Sequence, residues 1–360
     1  MTAMTPAILW QRLTEAGLVQ GEVPASGEAR SPWYVRVMLG VAAWIGALFL
    51  FGFVGVSFRF VLESAIGALI TGAVLCVASW PVCTSLRHND FTGQFGLATS
   101  LVGQMLFLYG LFRVFKTERV EVYLLMCAFE VALVVFLPNF LHRVWSTLAA
   151  LVALTYALGS LGLPYLGAGV IATCFAVVWL QACRWVKPAS VQEPVGTGGA
   201  LALAWCDVHL LWREAMWPWV ARDGQVLPSY AMHLGTLLTA GVFVYMVVRL
   251  LHREDVVLGS RVGIAALAGS VALVAAAWSA PGVAAALLIV LVGYANGNRF
   301  LFGLGFIALG GYLSYFYYQM HSTLLAKSAG LAATGAVLLV ARAVMLSLFD
   351  TAAGRAARRA

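Results

Sequence analysis

The sequence predicts an all-α fold, a polytopic bundle of transmembrane helices. Three observations carry that expectation. Hydrophobic residues make up 62% of the 360 positions and charged residues only 10%, against about 25% charged in an ordinary soluble domain. A single soluble core stops growing at roughly 250–300 residues, so a water-exposed chain of this size has nowhere to hide so much apolar surface. The apolar runs are near-continuous and close to the roughly 20 residues that cross a bilayer as a helix. They are not the alternating segments of about 10 residues that build a membrane barrel. Finally, Lys and Arg sit singly or in small groups between the runs, as topology signals do. The net charge of +7 therefore does not read as a nucleic-acid footprint, and the expected solvent is the lipid bilayer.

Residues 1–36 read as a polar cytoplasmic leader with no cleavable signal. Ile8, Leu9, Leu13 and Ala16 recur at helical spacing within Pro6–Leu18. Gly17 and the Gly/Pro/Ser-rich stretch Gly21–Pro32 then form a linker. The transmembrane domain is expected over 37–346, with a basic cytoplasmic tail at 347–360. Its predicted spans are Val37–Ser57, Phe60–Trp80, Gln94–Phe112, Val120–Pro138, Val144–Leu163, Pro164–Cys183, Tyr230–Leu251, Arg261–Ala280, Gly282–Asn296, Arg299–Tyr318 and Leu325–Leu346. No internal repeat is visible.

Gly198–Trp219 decides the topology. It is long enough to cross but carries Asp207, His209, Arg213 and Glu214, so hydropathy alone reads it as an interfacial helix. Without it the chain has about 11 spans, and the basic residues show no bias between the two sides. Counting it makes about 12 spans with both termini cytoplasmic, and concentrates the basic residues roughly two to one on the inner side. The 12-span reading is therefore preferred, with 11 as the alternative. A six-plus-six architecture would take the Pro/Gly-bearing stretch Val186–Thr197 as its link, and Arg113, Lys116 and Arg119 fall on the outer side against the rule.

Several chemistries lack their motifs. There is no GxxxxGK[ST] phosphate loop, no HExxH and no GxSxG nucleophile elbow. Cys76, Cys83, Cys127, Cys174, Cys183 and Cys206 lie in or beside apolar runs without CxxC spacing, as small hydrophobes do. No catalytic residue, metal site or cofactor is expected, and the chain does not read as an enzyme.

What remains is a set of polar residues inside the spans. Glu130 is the acid at mid-bilayer, where a charge costs about 2.5–3.5 kcal/mol on insertion scales. It should face the bundle interior, near Tyr123, Cys127 and Val134. It fits a proton- or cation-coupled site, or a neutral carboxyl that helps helices associate. Gln104 and Tyr109 join it as candidate interhelical hydrogen-bonding groups. Arg59 and Glu63 are spaced to pair at an interface. Asp207 and His209 do not share a helix face. Gly293, Gly297, Gly303, Gly305, Gly310, Gly311, Gly330 and Gly335 permit close helix approach.

Gly310–Ser328 is the densest polar-aromatic stretch. Tyr312, Tyr315 and Gln319 share a face, with Tyr318 beside them, and His321 and Lys327 follow. An interfacial aromatic belt with Thr323 capping and Lys327 snorkelling accounts for it. So does a polar mouth on the periplasmic side for an anionic or polar ligand, since four tyrosines with Tyr317 exceed what a belt needs.

The run Tyr317-Tyr318 through Thr323-Leu324-Leu325-Ala326-Lys327-Ser328, then Leu331, Gly335, Leu338, Leu339 and Arg342, resembles the C-terminal signature of a bacterial integral membrane family. That family is catalogued as domain of unknown function 4401 (DUF4401). Leu9-Trp10-Gln11-Arg12-Leu13, Ala16-Gly17-Leu18-Val19, Ser31-Pro32-Trp33-Tyr34 and Gly40…Trp44…Gly46 fit the same likeness. It covers both ends well and the middle mostly by hydropathy, and relatives carry an ordinary span where Gly198–Trp219 lies. The resemblance implies a bacterial inner-membrane protein, often encoded beside a small anchored protein of the GDYxxLxY type. The expected function is thus a non-catalytic membrane subunit of an envelope complex. The alternative is a secondary transporter or channel for a small polar or anionic solute.

Overall fold

The computed structural model describes residues 63–85, 90–115, 120–163, 165–180, 189–216, 229–276 and 282–319, with isolated positions between 10 and 56 and between 325 and 343. The chain divides into two compact units, Met1–Val114 and Phe115–Ala360.

In the first unit, Trp10, Thr14 and Glu15 are helical, and Gly17 turns the chain with a φ of 69°. The described positions from Met38 to Val56 are helical as well. Two helices have defined bounds, α1 (Ala65–Ser85) and α2 (Asp90–Phe115). Ser64 opens α1, its Oγ accepting from the Gly67 amide at 3.1 Å, which satisfies one of the orphan donors of a first turn. Arg59, the expected partner of Glu63, lies outside the described residues. The Glu63 backbone carbonyl accepts from Arg113 Nη2 at 3.1 Å.

Helices α1 and α2 approach closely because glycine faces glycine. A Cβ on Gly72 would lie 2.6 Å from the Gly103 carbonyl oxygen, and one on Gly103 would lie 2.7 Å from Cys76 Sγ. The Cys76 thiol reaches the Ser100 carbonyl at 3.5 Å. Lipid tails are as apolar as leucine, so helices associate in a bilayer through such close packing rather than by expelling water.

The second unit begins with the hairpin of α3 (Val120–Phe136) and α4 (Phe140–Ser160). Next come α5 (Leu166–Leu180), α6 (Ala189–Met216) and α7 (Ser229–Arg253). The last are α8 (Arg261–Ala276), α9 (Val283–Ala295) and α10 (Arg299–Gln319). Helix α4 lies between α3 and α6, α5 packs on α6 and α7, and α9 packs on α10. Their shared core includes Ile171, Phe175, Leu203, Phe243, Met246, Leu288, Ile289 and Leu301. Gly293 and Gly305 let α9 and α10 meet, since a Cβ on Gly293 would lie 2.5 Å from the Phe302 amide. Gly303, Gly310 and Gly311 face open space.

Among the described residues, five helical stretches are long and apolar enough to cross a membrane: Ala65–Val82, Gly93–Phe115, Phe140–Ser160, Leu234–Arg253 and Arg299–Tyr318. Leu166–Leu180, Arg261–Ala275 and Val283–Ala295 are apolar but shorter. The chain is therefore a multi-pass, all-α membrane protein. Two predicted boundaries are corrected. The candidate link Val186–Thr197 is helical from Ala189 onward, with Pro194 inside α6 and buried. Glycines of α6 serve contact: a Cβ on Gly196 would lie 2.5 Å from Trp179 Nε1, and one on Gly198 2.6 Å from the Val144 carbonyl. With Ala200, Ala202, Leu203 and Cys206 also buried, the first part of Gly198–Trp219 belongs to the bundle core. The span expected at Val144 begins four residues earlier, at Phe140.

Candidate functional site

The early start of α4 brings polar residues into the bundle. Asn139 follows Leu137-Pro138 with extended backbone (φ −110°, ψ 132°), and its Oδ1 accepts from the His142 amide at 3.2 Å. That cap continues the helix through His142 and Arg143, both buried, and on to buried Ser146 and Thr147. Sequence reasoning placed His142 and Arg143 in a loop. Pro138-Asn139 is the start signal that would have drawn them into the helix.

Across from α4, the buried face of α3 is Val122, Met126, Glu130 and Leu133, recurring at one helix face. Glu130 is 0% exposed, as expected for an acid turned to the interior. Neither carboxyl oxygen has a hydrogen-bond partner. The Ser146 hydroxyl lies beside the carboxyl and 3.4 Å from His142 Nδ1. Arg143 donates through Nε to the Val134 carbonyl at 3.0 Å, closing the last turn of α3. Thr147 Oγ1 is buried without a partner, and its side chain lies where a Cβ on Gly198 of α6 would stand. The result is a polar seam in an apolar bundle. Such groups cost free energy unless they are satisfied.

Gln104 and Tyr109 belong to α2, in the first unit, whereas Glu130 belongs to the second. Gln104 is buried. Tyr109 is 38% exposed and serves Arg113: its hydroxyl accepts from Nη1 at 2.9 Å, and the guanidinium carbon stands 5.7 Å from the ring centroid.

The aromatic stretch of α10 is only partly gathered. Tyr312 is 2% exposed and donates its hydroxyl to the Ala204 carbonyl of α6 at 2.7 Å. Its ring lies against Gly282, whose φ of 95° and lack of a Cβ make room for it. Tyr312 and Tyr315 line a groove of about 550 Å³ with Ala204, Trp205, Ile307 and Gly311. Trp205 also ends an aromatic ladder, 6.1 Å from Tyr156, which stacks on Tyr123 at 5.5 Å. Tyr318 is 81% exposed and pairs with Tyr317. Gln319 ends α10, while His321 and Lys327 lie outside the described residues. The described lining of the groove is mainly apolar and aromatic.

Asp207 and His209 lie on helical backbone in α6, their side chains outside the described set. Among the described residues no group of three His, Cys, Asp or Glu is placed to hold a metal ion.

The family model described as "Domain of unknown function (DUF4401)" matches residues 32–348. No curated protein and no solved structure matches the chain.

Proposed function

The chain belongs to the DUF4401 family, and on that premise we propose that it is a non-catalytic membrane subunit of a bacterial envelope complex, seated in the inner membrane and holding a small GDYxxLxY-type membrane protein. The observation that carries this reading is the groove between α6 and α10. Its floor is small, with Ala204, Ala308 and Gly311, and its walls are Trp205, Ile307 and Tyr315. Small residues flanked by aromatic and branched ones suit the anchor helix of a partner, because helix pairs in lipid gain most from close approach. Gly311 lines the groove and has nothing within 4 Å of an added Cβ, so Gly311→Leu directs a side chain into the groove. In mild detergent the partner should co-purify with the wild type and be lost with Gly311→Leu. Recovery of the partner at background levels under native expression counts against the reading.

The topology that goes with it has about 12 spans, α6 among them, a leader at 1–36, a tail at 347–360 and both termini in the cytoplasm. Enclosure of α6 by α4, α5, α9 and α10 supports counting it. A reporter fused to the C-terminus should be active only on the cytoplasmic side, and periplasmic activity would sink the scheme.

A second reading rests on Glu130, whose two buried carboxyl oxygens have no partner. Unpartnered carboxyls inside membrane bundles mark proton and ion pathways. In this reading the chain is a secondary transporter for a small polar or anionic solute, with Glu130 as the coupling carboxyl and Tyr312, Tyr315 and Lys327 at the entrance. Should Glu130→Gln and Lys327→Ala both leave flux in proteoliposomes intact, that assignment falls.

A further inference from the structure

A second cavity, of about 280 Å³, opens where the C-terminal ends of α5, α7 and α9 meet. Its wall on α7 is one helix face, Met246, Arg249, Leu250 and Arg253, with His252 beside them. Trp179 and Leu180 of α5 and Asn296 at the end of α9 complete it. The cavity is apolar toward the bundle and cationic at its mouth, and no carboxylate is among the described residues that line it.

Basic residues gather at helix C-termini for a plain reason, since they complement the terminal carbonyls. Here the backbone has already closed those carbonyls. Asp255 takes the left-handed conformation (φ 54°). The amides of Glu254, Asp255 and Val256 bond to the carbonyls of Leu250, His252 and Leu251 at 3.1, 3.3 and 2.9 Å. At the end of α9, Gly297 (φ 63°) plays the same part, its amide and that of Asn298 reaching Tyr294 and Gly293 at 3.1 and 2.9 Å. Arg249 also stands a full turn inside α7, beyond the range over which the helix end acts. Arg249 and Arg253 are like charges at i and i+4, an arrangement that destabilises a helix on its own. Among the described residues neither guanidinium meets an acceptor.

We propose that this cavity binds a phosphate-bearing anion between Arg249 and Arg253, with His252 as a further donor. Arginine forks match phosphate oxygens two at a time, and basic pockets between transmembrane helices at the membrane surface hold anionic headgroups. The apolar wall of Met246, Leu250 and Leu180 gives an acyl chain a path beneath the headgroup. The inference is independent of the complex-subunit reading.

The test is native mass spectrometry of the detergent-purified full chain, given phosphatidylglycerol, phosphatidylcholine or inorganic phosphate in turn. The wild type should retain phosphatidylglycerol over phosphatidylcholine. Arg249→Ala/Arg253→Ala should retain it roughly thirtyfold less, the converted worth of two arginines at an anionic surface. Arg261→Ala, outside the cavity, should leave retention unchanged, and Arg249→Lys/Arg253→Lys should restore part of it in a charge-preserving background. Phosphatidylglycerol that survives millimolar phosphate identifies the ligand as a lipid headgroup. Displacement by phosphate, with phosphate adducts lost in the double Ala variant, identifies it as free phosphate. Equal retention by wild type and the double Ala variant, or no preference between the two lipids with no phosphate adduct, overturns the proposal.

Discussion

Tyr312 and Ala204 are 108 residues apart in the chain and joined at 2.7 Å, phenol hydroxyl to helix carbonyl. The bond ties α10 to α6 where α10 also rests on Gly282. A bond of this kind within a membrane bundle averages about 0.6 kcal/mol and reaches about 1.7. Tyr312→Phe should therefore lower stability by that much in a detergent-unfolding titration. Tyr312→Ala, which also empties the ring's site, should cost about 3–5 kcal/mol. An equal cost for the two would mean that the hydroxyl carries all of it.

Asn139 sets where α4 begins. Asn139→Ala removes the acceptor for the His142 amide and should cost about 1 kcal/mol, whereas Asn139→Asp keeps the cap and should be near neutral. The same titration reads both. Indistinguishable Ala and Asp variants would show that the buried α4 sequence, not the cap, holds the turn.

Gly103 and Gly93 lie on one helix and predict opposite signs. An added methyl at Gly103 meets Cys76 Sγ and the Gly72 carbonyl at 2.7 Å, while at Gly93 it meets nothing. Gly103→Ala should cost about 1–3 kcal/mol through overpacking. Gly93→Ala should gain up to about 1 kcal/mol, because alanine restricts the unfolded backbone more than glycine does. Stabilisation by both substitutions would mean that α1 and α2 do not pack at Gly103.

Glu130 is fully buried with both oxygens unpartnered. Replacing such a group by an apolar one of similar shape is near neutral or stabilising. Glu130→Met should thus unfold no earlier than the wild type, while Glu130→Ala, which leaves a cavity, should lose about 2 kcal/mol or more. If Met proves as costly as Ala, the carboxyl has a structural partner.

Most helices were legible because hydrophobic continuity is a local property, and Arg261, Gly282 and Arg299 mark element starts close to where the sequence suggested them. Glu130 was placed correctly on the interior because an acid in a hydrophobic run has few other places to go. What escaped was decided by neighbours far away in sequence. Pro194 and Gly196 have the composition of a linker, and Trp179 against Gly196 shows why that stretch is helical and buried. His142 and Arg143 have the composition of a loop, and the Asn139 cap with α3 across from it shows why the helix keeps them. The aromatic run of α10 separated for the same reason: Tyr312 has Ala204 and Gly282 to receive it, and Tyr318 has neither.

Helix α9 is only 13 residues long, about 20 Å at 1.5 Å per residue, against roughly 30 Å of hydrocarbon. A lipid-facing helix that short would have to thin the bilayer around itself. Seven of its residues, from Ala284 to Gly293, are buried against protein instead, so the shortfall is absorbed by neighbouring helices rather than by lipid. Mismatch strain then falls on the outer helices alone, and changes in bilayer thickness should tilt α10 while leaving the register of α9 unaltered.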